Sequence, residues 1–174
     1  QRSSVDWLLL AEAGDEFTSA GFLRASLELL NAEGCRAVAM DEIHRHGHGS
    51  LSDVFRPAFN LDLLQSLPVL AARHWLVRRE ALVEVGGYAR EYGHALEFDL
   101  LLRLIEAGGL AGLAHLAEPL LITAAPTMEP NEHARQTLVR HLATRGYQAQ
   151  VTAEAFGGLR IDYRHATRPK RSEE

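Results

Sequence analysis

The chain has 174 residues, 47% of them hydrophobic, and a formal net charge of −5. This length and composition predict one globular domain, over residues 1–166, that buries roughly 70% of its unfolded surface, followed by a linker or disordered tail over 167–174. The slightly acidic balance argues against a nucleic-acid partner, and the sole cysteine, Cys35, excludes an internal disulfide and favours a reducing, cytoplasmic compartment.

The first predicted unit is a strand followed by an acidic turn. The stretch from Asp6 to Ala11 is almost entirely apolar, which is typical of a buried strand and too short for a membrane span. Glu12 and Asp15 follow, and a helix is predicted over 21–31. Because ligands in α/β folds gather where strands end, the two acids are candidate ligand residues, although acids are also favoured near helix starts.

Thr18 or Ser19 is the expected N-cap of that helix. Residues 36–40 predict the next strand, with an acidic pair, 41–42, at its end. The polar stretch 44–48 holds three alternating histidines. Alternating residues share one face of a strand without closing a tetrahedral zinc site, so a solvated loop is the favoured interpretation and a zinc site the alternative.

Arg56 lies in an aromatic-basic-proline stretch, where it is either a ligand contact or an ordinary surface arginine. Residues 72–78 alternate weakly and predict a strand that enters a helix over 79–85. Within that strand, His74 and Trp75 are candidate ligand residues, because an aromatic ring offers a flat face for stacking. For Trp75 a place in the hydrophobic core is the first expectation.

A long helix is predicted from about residue 97, because apolar residues recur at helical spacing: Phe98, Leu101, Leu104 and Ile105. Glu97 and Asp99 fall in its first turn, and Asp99 is spaced to pair with Arg103. Carboxylates there are expected to face the unpaired N–H groups of the helix start, which favour the charged form and suit a proton acceptor. An acidic helix cap without chemistry is the alternative. His94 precedes this turn in a glycine-containing loop.

The remainder predicts further strands and one helix. Residues 110–116 and 119–123 predict two short strands. A helix over 131–145 follows, and then two strands over 148–153 and 159–163.

Three motifs together carry a family resemblance: Val85-Gly86-Gly87-Tyr88, Glu97-Phe98-Asp99-Leu100, and the stretch from Arg103 to Gly108. They resemble family-2 glycosyltransferases of the A-type fold, and the resemblance extends from Val5 to about Tyr163. It implies an α/β fold in which a mixed sheet, like that of nucleotide-diphospho-sugar transferases (GT-A), is flanked by helices. The nucleotide-binding strands that open the family's domain have no counterpart before Asp6, so the chain is expected to be the later part of that domain.

The resemblance also assigns roles to residues. Glu97 stands where the family has its catalytic aspartate, and the family's metal-binding Asp-any-Asp frame falls on Glu12-Ala13-Gly14, with Asp15 next. Because Gly14 replaces the usual ligand, only weak binding of Mn²⁺ or Mg²⁺ by Glu12 and Asp15 is expected. The implied substrate-binding residues are Arg56, His74, Trp75, His94 and Asp99. A histidine that completes the metal site in many relatives is absent from 122–126.

Two functions follow from the resemblance. The first is inverting transfer of a sugar from a nucleotide-diphosphate sugar to a growing or lipid-linked glycan, in a multidomain bacterial protein of O-antigen or other polysaccharide assembly. The second is a catalytically degenerate domain that binds glycan or scaffolds a neighbouring transferase domain. Either would operate in the cytoplasm or at the cytoplasmic face of the inner membrane. Self-association is expected too, through an uncovered sheet edge near Trp7 to Leu10.

Overall fold

A computed structural model describes residues 5–164, so the predicted tail over 167–174 lies outside the described residues. The described chain forms eight strands: β1 (Trp7–Leu9), β2 (Glu16–Phe17), β3 (Ala37–Arg45), β4 (Leu51–Val54), β5 (Leu76–Arg78), β6 (Leu113–Ala124), β7 (Gln150–Ala153) and β8 (Leu159–Asp162). It also forms six α-helices: α1 (Gly21–Leu30), α2 (Leu61–Ser66), α3 (Pro68–Ala71), α4 (Arg79–Glu84), α5 (Leu96–Gly108) and α6 (Glu132–Thr144).

Six of the strands form one mixed sheet. Its order is β1-β5-β3-β6-β2, and β4 pairs with β3 outside that path. The β3–β6 pair is parallel, whereas the β1–β5, β3–β5, β2–β6 and β3–β4 pairs are antiparallel. Strands β7 and β8 form a separate antiparallel hairpin. The predicted class, an α/β fold with a mixed sheet flanked by helices, is confirmed at this level.

The second predicted strand is longer than its apolar stretch. β3 continues to Arg45, so the acidic pair Asp41 and Glu42 lies inside the strand and not at its end. β4 then pairs back onto β3, from Glu42 opposite Val54 to Arg45 opposite Leu51. The prediction of a polar loop over 44–48 was therefore wrong for His44 and Arg45, which belong to β3. Pairing with β4 and buried polar partners stabilise this part of the strand although it has few apolar residues.

Residues 113–124 form one strand where two, over 110–116 and 119–123, were predicted. β6 runs through Pro119, which lies opposite Asp41 where the register with β3 shifts. Proline is tolerated within a sheet at such irregular positions, because it has no N–H to give to a regular ladder.

The predicted cap of α1 was wrong. Ala20 occupies the N-cap position and makes no side-chain capping hydrogen bond. Thr18 faces β6 instead, where its hydroxyl donates to the carbonyl of Leu120 at 3.4 Å. By contrast, α6 begins as predicted, because the side chain of Asn131 accepts a hydrogen bond from the N–H of Ala134 at 3.0 Å.

Helix α5 is the centre of the hydrophobic core. Its buried apolar side chains are Phe98, Leu100, Leu101, Leu102, Leu104 and Ile105. Helix α6 packs on it with Leu138 and Leu142, and Trp75 is buried in the same cluster, as predicted. A helix that is apolar around most of its circumference is a core helix, and this burial fixes the position of the first turn of α5.

Strand β1 lies at one edge of the sheet, and its side chains are half-buried. Within residues 5–164, no helix is both long and apolar enough to cross a lipid bilayer.

Candidate functional site

A cleft of about 440 Å³ opens between the first turn of α5, the segment before β5 and the residues that follow β1 and β6. Strands β1, β3 and β6 run in one direction, so the residues that follow β1 and β6 lie at the same end of the strands, the carboxyl end. The carboxyl ends of the strands are where α/β folds bind ligands. The titratable side chains that line the cleft are Glu12, Arg73, His74, His94 and Glu97.

The Glu97 carboxylate is held by backbone amides. Its two oxygens accept hydrogen bonds from the N–H groups of His74 and Trp75, each at 3.0 Å. Neither donor belongs to helix α5, whose N-cap, Ala95, makes no side-chain capping hydrogen bond. Burial raises the pKa of Glu97 to about 7 against the opposing effect of these hydrogen bonds. The expectation that the helix start favours the charged form was therefore wrong, because desolvation outweighs it.

His74 connects the amides that hold Glu97 to the acidic turn. It has a left-handed backbone conformation, with φ of 53°, which is uncommon for a residue other than glycine. Its ring lies between two carboxylates, with Nδ1 2.9 Å from Glu42 and Nε2 3.0 Å from Asp15. Burial alone would lower the pKa of His74, but the hydrogen bond and charge of Glu42 outweigh it and raise the pKa. Both ring nitrogens therefore face carboxylate oxygens at hydrogen-bonding distance, an arrangement that suits an imidazolium with two N–H donors.

Glu42 is a site residue that the sequence analysis did not assign. It is 1% exposed, and its oxygens contact His74, His44 and the guanidinium of Arg56. Burial would raise the pKa of Glu42, but the hydrogen bond from His74 and the charge of Arg56 hold it at about 2. The signal in the sequence was an acidic pair directly after an apolar strand. Because β3 continues through this pair, both acids are buried and need polar partners.

Arg73 is a second residue that the sequence analysis missed. Its backbone carbonyl accepts a hydrogen bond from Arg56 at 2.9 Å, which fixes the main chain beside His74. Its guanidinium makes only long contacts, at 3.2 Å to the hydroxyl of Thr123 and 3.4 Å to the carbonyl of Ala124. The side chain therefore lies in the cleft and makes only weak hydrogen bonds to the rest of the protein.

Three of the predicted substrate-binding residues do not line the cleft. Arg56 and Trp75 line a separate, mostly apolar cavity of about 120 Å³. Asp99 is fully buried, and its carboxylate pairs with Arg103 at 2.7 Å and Arg140 at 3.3 Å. The contacts of Arg56 with Glu42 and of Asp99 with two arginines give both residues a positioning or structural role.

His94, which does line the cleft, is tied to the start of α6. Its N–H donates to Nδ1 of His133 at 3.1 Å, and the two rings stack with centroids 5.2 Å apart. The side-chain amide of Asn131 also donates to the carbonyl of His94, at 2.7 Å. These contacts fasten the glycine-containing loop that carries His94 to the start of α6.

The acidic turn does not assemble the ligands of a divalent cation. Asp15 turns inward, where one oxygen accepts from the N–H of Glu12 at 2.6 Å and faces His74. Gly14, with φ of 100°, has no side chain to contribute. Hard cations such as Mg²⁺ need several oxygen ligands, and among residues 5–164 no group of three or more His, Cys, Asp and Glu side chains has a metal-binding arrangement. The residues present do not fit the expected cation.

No protein-family model matches the chain. The chain is similar to the O-antigen biosynthesis protein RfbC of Myxococcus xanthus, with 34% identity over 141 residues. The alignment covers 75% of this chain but 11% of RfbC, so the chain spans about a ninth of the length of that relative.

Proposed function

We propose that the chain belongs to an A-type glycosyltransferase domain that transfers a sugar from a nucleotide-diphosphate sugar to a growing glycan. The observation that carries the proposal is the carboxylate of Glu97, which lies at the wall of the cleft. Burial raises the pKa of this carboxylate to about 7. The similarity to a protein named for O-antigen biosynthesis supports a role in bacterial polysaccharide assembly.

The proposed chemistry uses Glu97 as a general base. Its carboxylate takes the proton of an acceptor hydroxyl, and the hydroxyl oxygen forms a bond to the anomeric carbon of the donor sugar. The bond from that carbon to the phosphate oxygen breaks, and its electron pair leaves with the diphosphate, so the anomeric configuration inverts. A base is most effective when its pKa lies near the working pH, and a value of about 7 meets that condition.

The two amides that hold Glu97 set its direction. Each carboxylate oxygen has about two lone-pair positions, so hydrogen bonds from His74 and Trp75 leave one on each oxygen for an incoming proton. Because His74 is fixed in turn by Asp15 and Glu42, the base is positioned by a buried ion-paired network and not by a mobile loop.

The test is release of nucleoside diphosphate from common nucleotide-diphosphate sugars, with glycan acceptors, by the protein that contains this chain. Glu97→Gln keeps the shape of the side chain and removes the base, so turnover should fall about a hundredfold or more with donor affinity nearly unchanged. Glu80→Gln, an exposed acid in the first turn of α4, is the matched control and should leave turnover intact. Equal turnover of Glu97→Gln and the unmutated chain would reject Glu97 as the base.

A second candidate is a non-catalytic domain that binds glycan or scaffolds a neighbouring transferase. The acidic turn favours it, because Gly14 and the inward-facing Asp15 depart from a metal-binding arrangement. Saturable glycan binding by this chain, without diphosphate release from any donor, would support this candidate over catalysis.

A further inference from the structure

The charges of the cleft pose a specific electrostatic problem. The wall carries the carboxylates of Glu12 and Glu97, which repel an anionic ligand such as a diphosphate. The acidic turn does not assemble a cation site that would offset this repulsion. Among the described residues that line the cleft, Arg73 is the only lysine or arginine.

The surroundings of Arg73 fix its backbone and leave its guanidinium free to change partners. The Arg56 guanidinium holds the carbonyl of Arg73, and Arg56 is itself held by the buried Glu42. The contacts of the Arg73 guanidinium to Thr123 and Ala124, at 3.2–3.4 Å, are long enough to be exchanged for shorter bonds to a ligand. Its neighbour in sequence, His74, is occupied on both ring nitrogens by Glu42 and Asp15.

We infer that Arg73 is the cation that binds the diphosphate of the donor and stabilises it as it leaves, in place of a divalent metal ion. This inference rests on the proposed sugar transfer. When the anomeric bond breaks, its electron pair moves onto a diphosphate oxygen, and a guanidinium offers that oxygen a permanent charge and parallel N–H donors.

The inference has a direct binding test that does not depend on turnover. Inorganic pyrophosphate is titrated into this chain by calorimetry, in EDTA and then with Mn²⁺. Pyrophosphate should bind equally well in both conditions. Arg73→Gln should weaken binding about tenfold or more, because a charge-assisted hydrogen-bonding group is lost. Arg73→Lys keeps the positive charge but loses the paired N–H donors of the guanidinium. Its pyrophosphate affinity should therefore lie between those of the unmutated chain and Arg73→Gln.

The matched control is Arg160→Gln on β8, whose side chain is 74% exposed and lies outside the cleft lining. It removes one positive charge from the chain without touching the cleft, and its pyrophosphate affinity should equal that of the unmutated chain. Thermal unfolding of each variant shows whether it is folded, and Arg73→Lys supplies the comparison if Arg73→Gln is not.

Two outcomes would overturn the inference in distinguishable ways. Binding that appears only with Mn²⁺ and survives Arg73→Gln would refute Arg73 as the cation while leaving sugar transfer intact. Absence of pyrophosphate binding in both conditions, together with absence of diphosphate release from nucleotide sugars, would remove the Arg73 site and the proposed function together.

Discussion

Glu97 makes the stability of the protein depend on pH in a predictable direction. Its pKa is about 7 in the folded chain against a reference of 4.5, because burial disfavours the charged form. Between those values the unfolded chain releases a proton that the folded chain keeps, so the stability contribution of this group is fully present below pH 4.5 and is lost as the pH rises through 7. From pH 5 to pH 8 the loss amounts to about 2–3 kcal/mol when the linkage relation is integrated over that range.

Comparison with Glu97→Gln isolates that loss, since glutamine does not titrate. Replacement of one carboxylate oxygen by an NH₂ group removes an acceptor for His74 or Trp75, but this cost is nearly constant with pH. The free energy of unfolding is measured in urea at pH 5, 6, 7 and 8. Between pH 5 and pH 8 it should fall by about 2–3 kcal/mol more for the unmutated chain than for Glu97→Gln.

The control is Glu80→Gln, which removes an exposed carboxylate and should run parallel to the unmutated chain. Parallel pH profiles for the unmutated chain and Glu97→Gln would show that Glu97 titrates as an ordinary acid. That result would refute the burial argument and, with it, the basis for a base tuned near neutral pH.

Two further predictions concern the scaffold around the site. Gly21→Ala should destabilise the fold by about 1–3 kcal/mol, because the new Cβ would lie 2.3 Å from the carbonyl oxygen of Leu120; Gly47→Ala, with nothing within 4 Å, is the control in urea unfolding, and equal midpoints would contradict the prediction. Asp99→Asn should lower the free energy of unfolding by about 3 kcal/mol, because Arg103 and Arg140 lose their buried charged partner, but it should preserve pyrophosphate affinity. The control, Asp53→Asn at an exposed position, should change neither stability nor affinity. Loss of pyrophosphate affinity in a folded Asp99→Asn variant would show that Asp99 belongs to the binding site.

Elements whose signal is local were predictable from the sequence. Helix α5 follows the spacing of its apolar side chains, and α6 follows its capping asparagine at 131. The end of β3 was not predictable, because Asp41 and Glu42 become strand residues only through partners far along the chain. Asp41 accepts from the N–H of Arg56 and contacts His115, which come from a loop and from β6.

The residues of the candidate site also differ in how far the sequence could identify them. Glu97 was assigned from a motif, which marks a position but not its environment. Arg73 and Glu42 had no motif, and their importance arises from a cleft and a network that join segments dozens of residues apart. The direction of the Glu97 pKa shift required burial, a property of the whole fold that periodicity in one helix does not determine.

The left-handed conformation of His74 explains why the acid at position 97 is held from outside its own helix. At this left-handed residue, with φ of 53°, the consecutive N–H groups of His74 and Trp75 point to one place, and backbone N–H groups that converge in this way bind anions. At that point lies the Glu97 carboxylate, 3.0 Å from each nitrogen. Glutamate carries one methylene more than the aspartate of the resembled family, and here that length brings the carboxylate to the amides of a neighbouring segment. The same segment carries Arg73, so one short stretch of backbone positions both the proposed base and the proposed diphosphate-binding cation at the cleft. The Glu42–Arg56 pair holds that stretch in place.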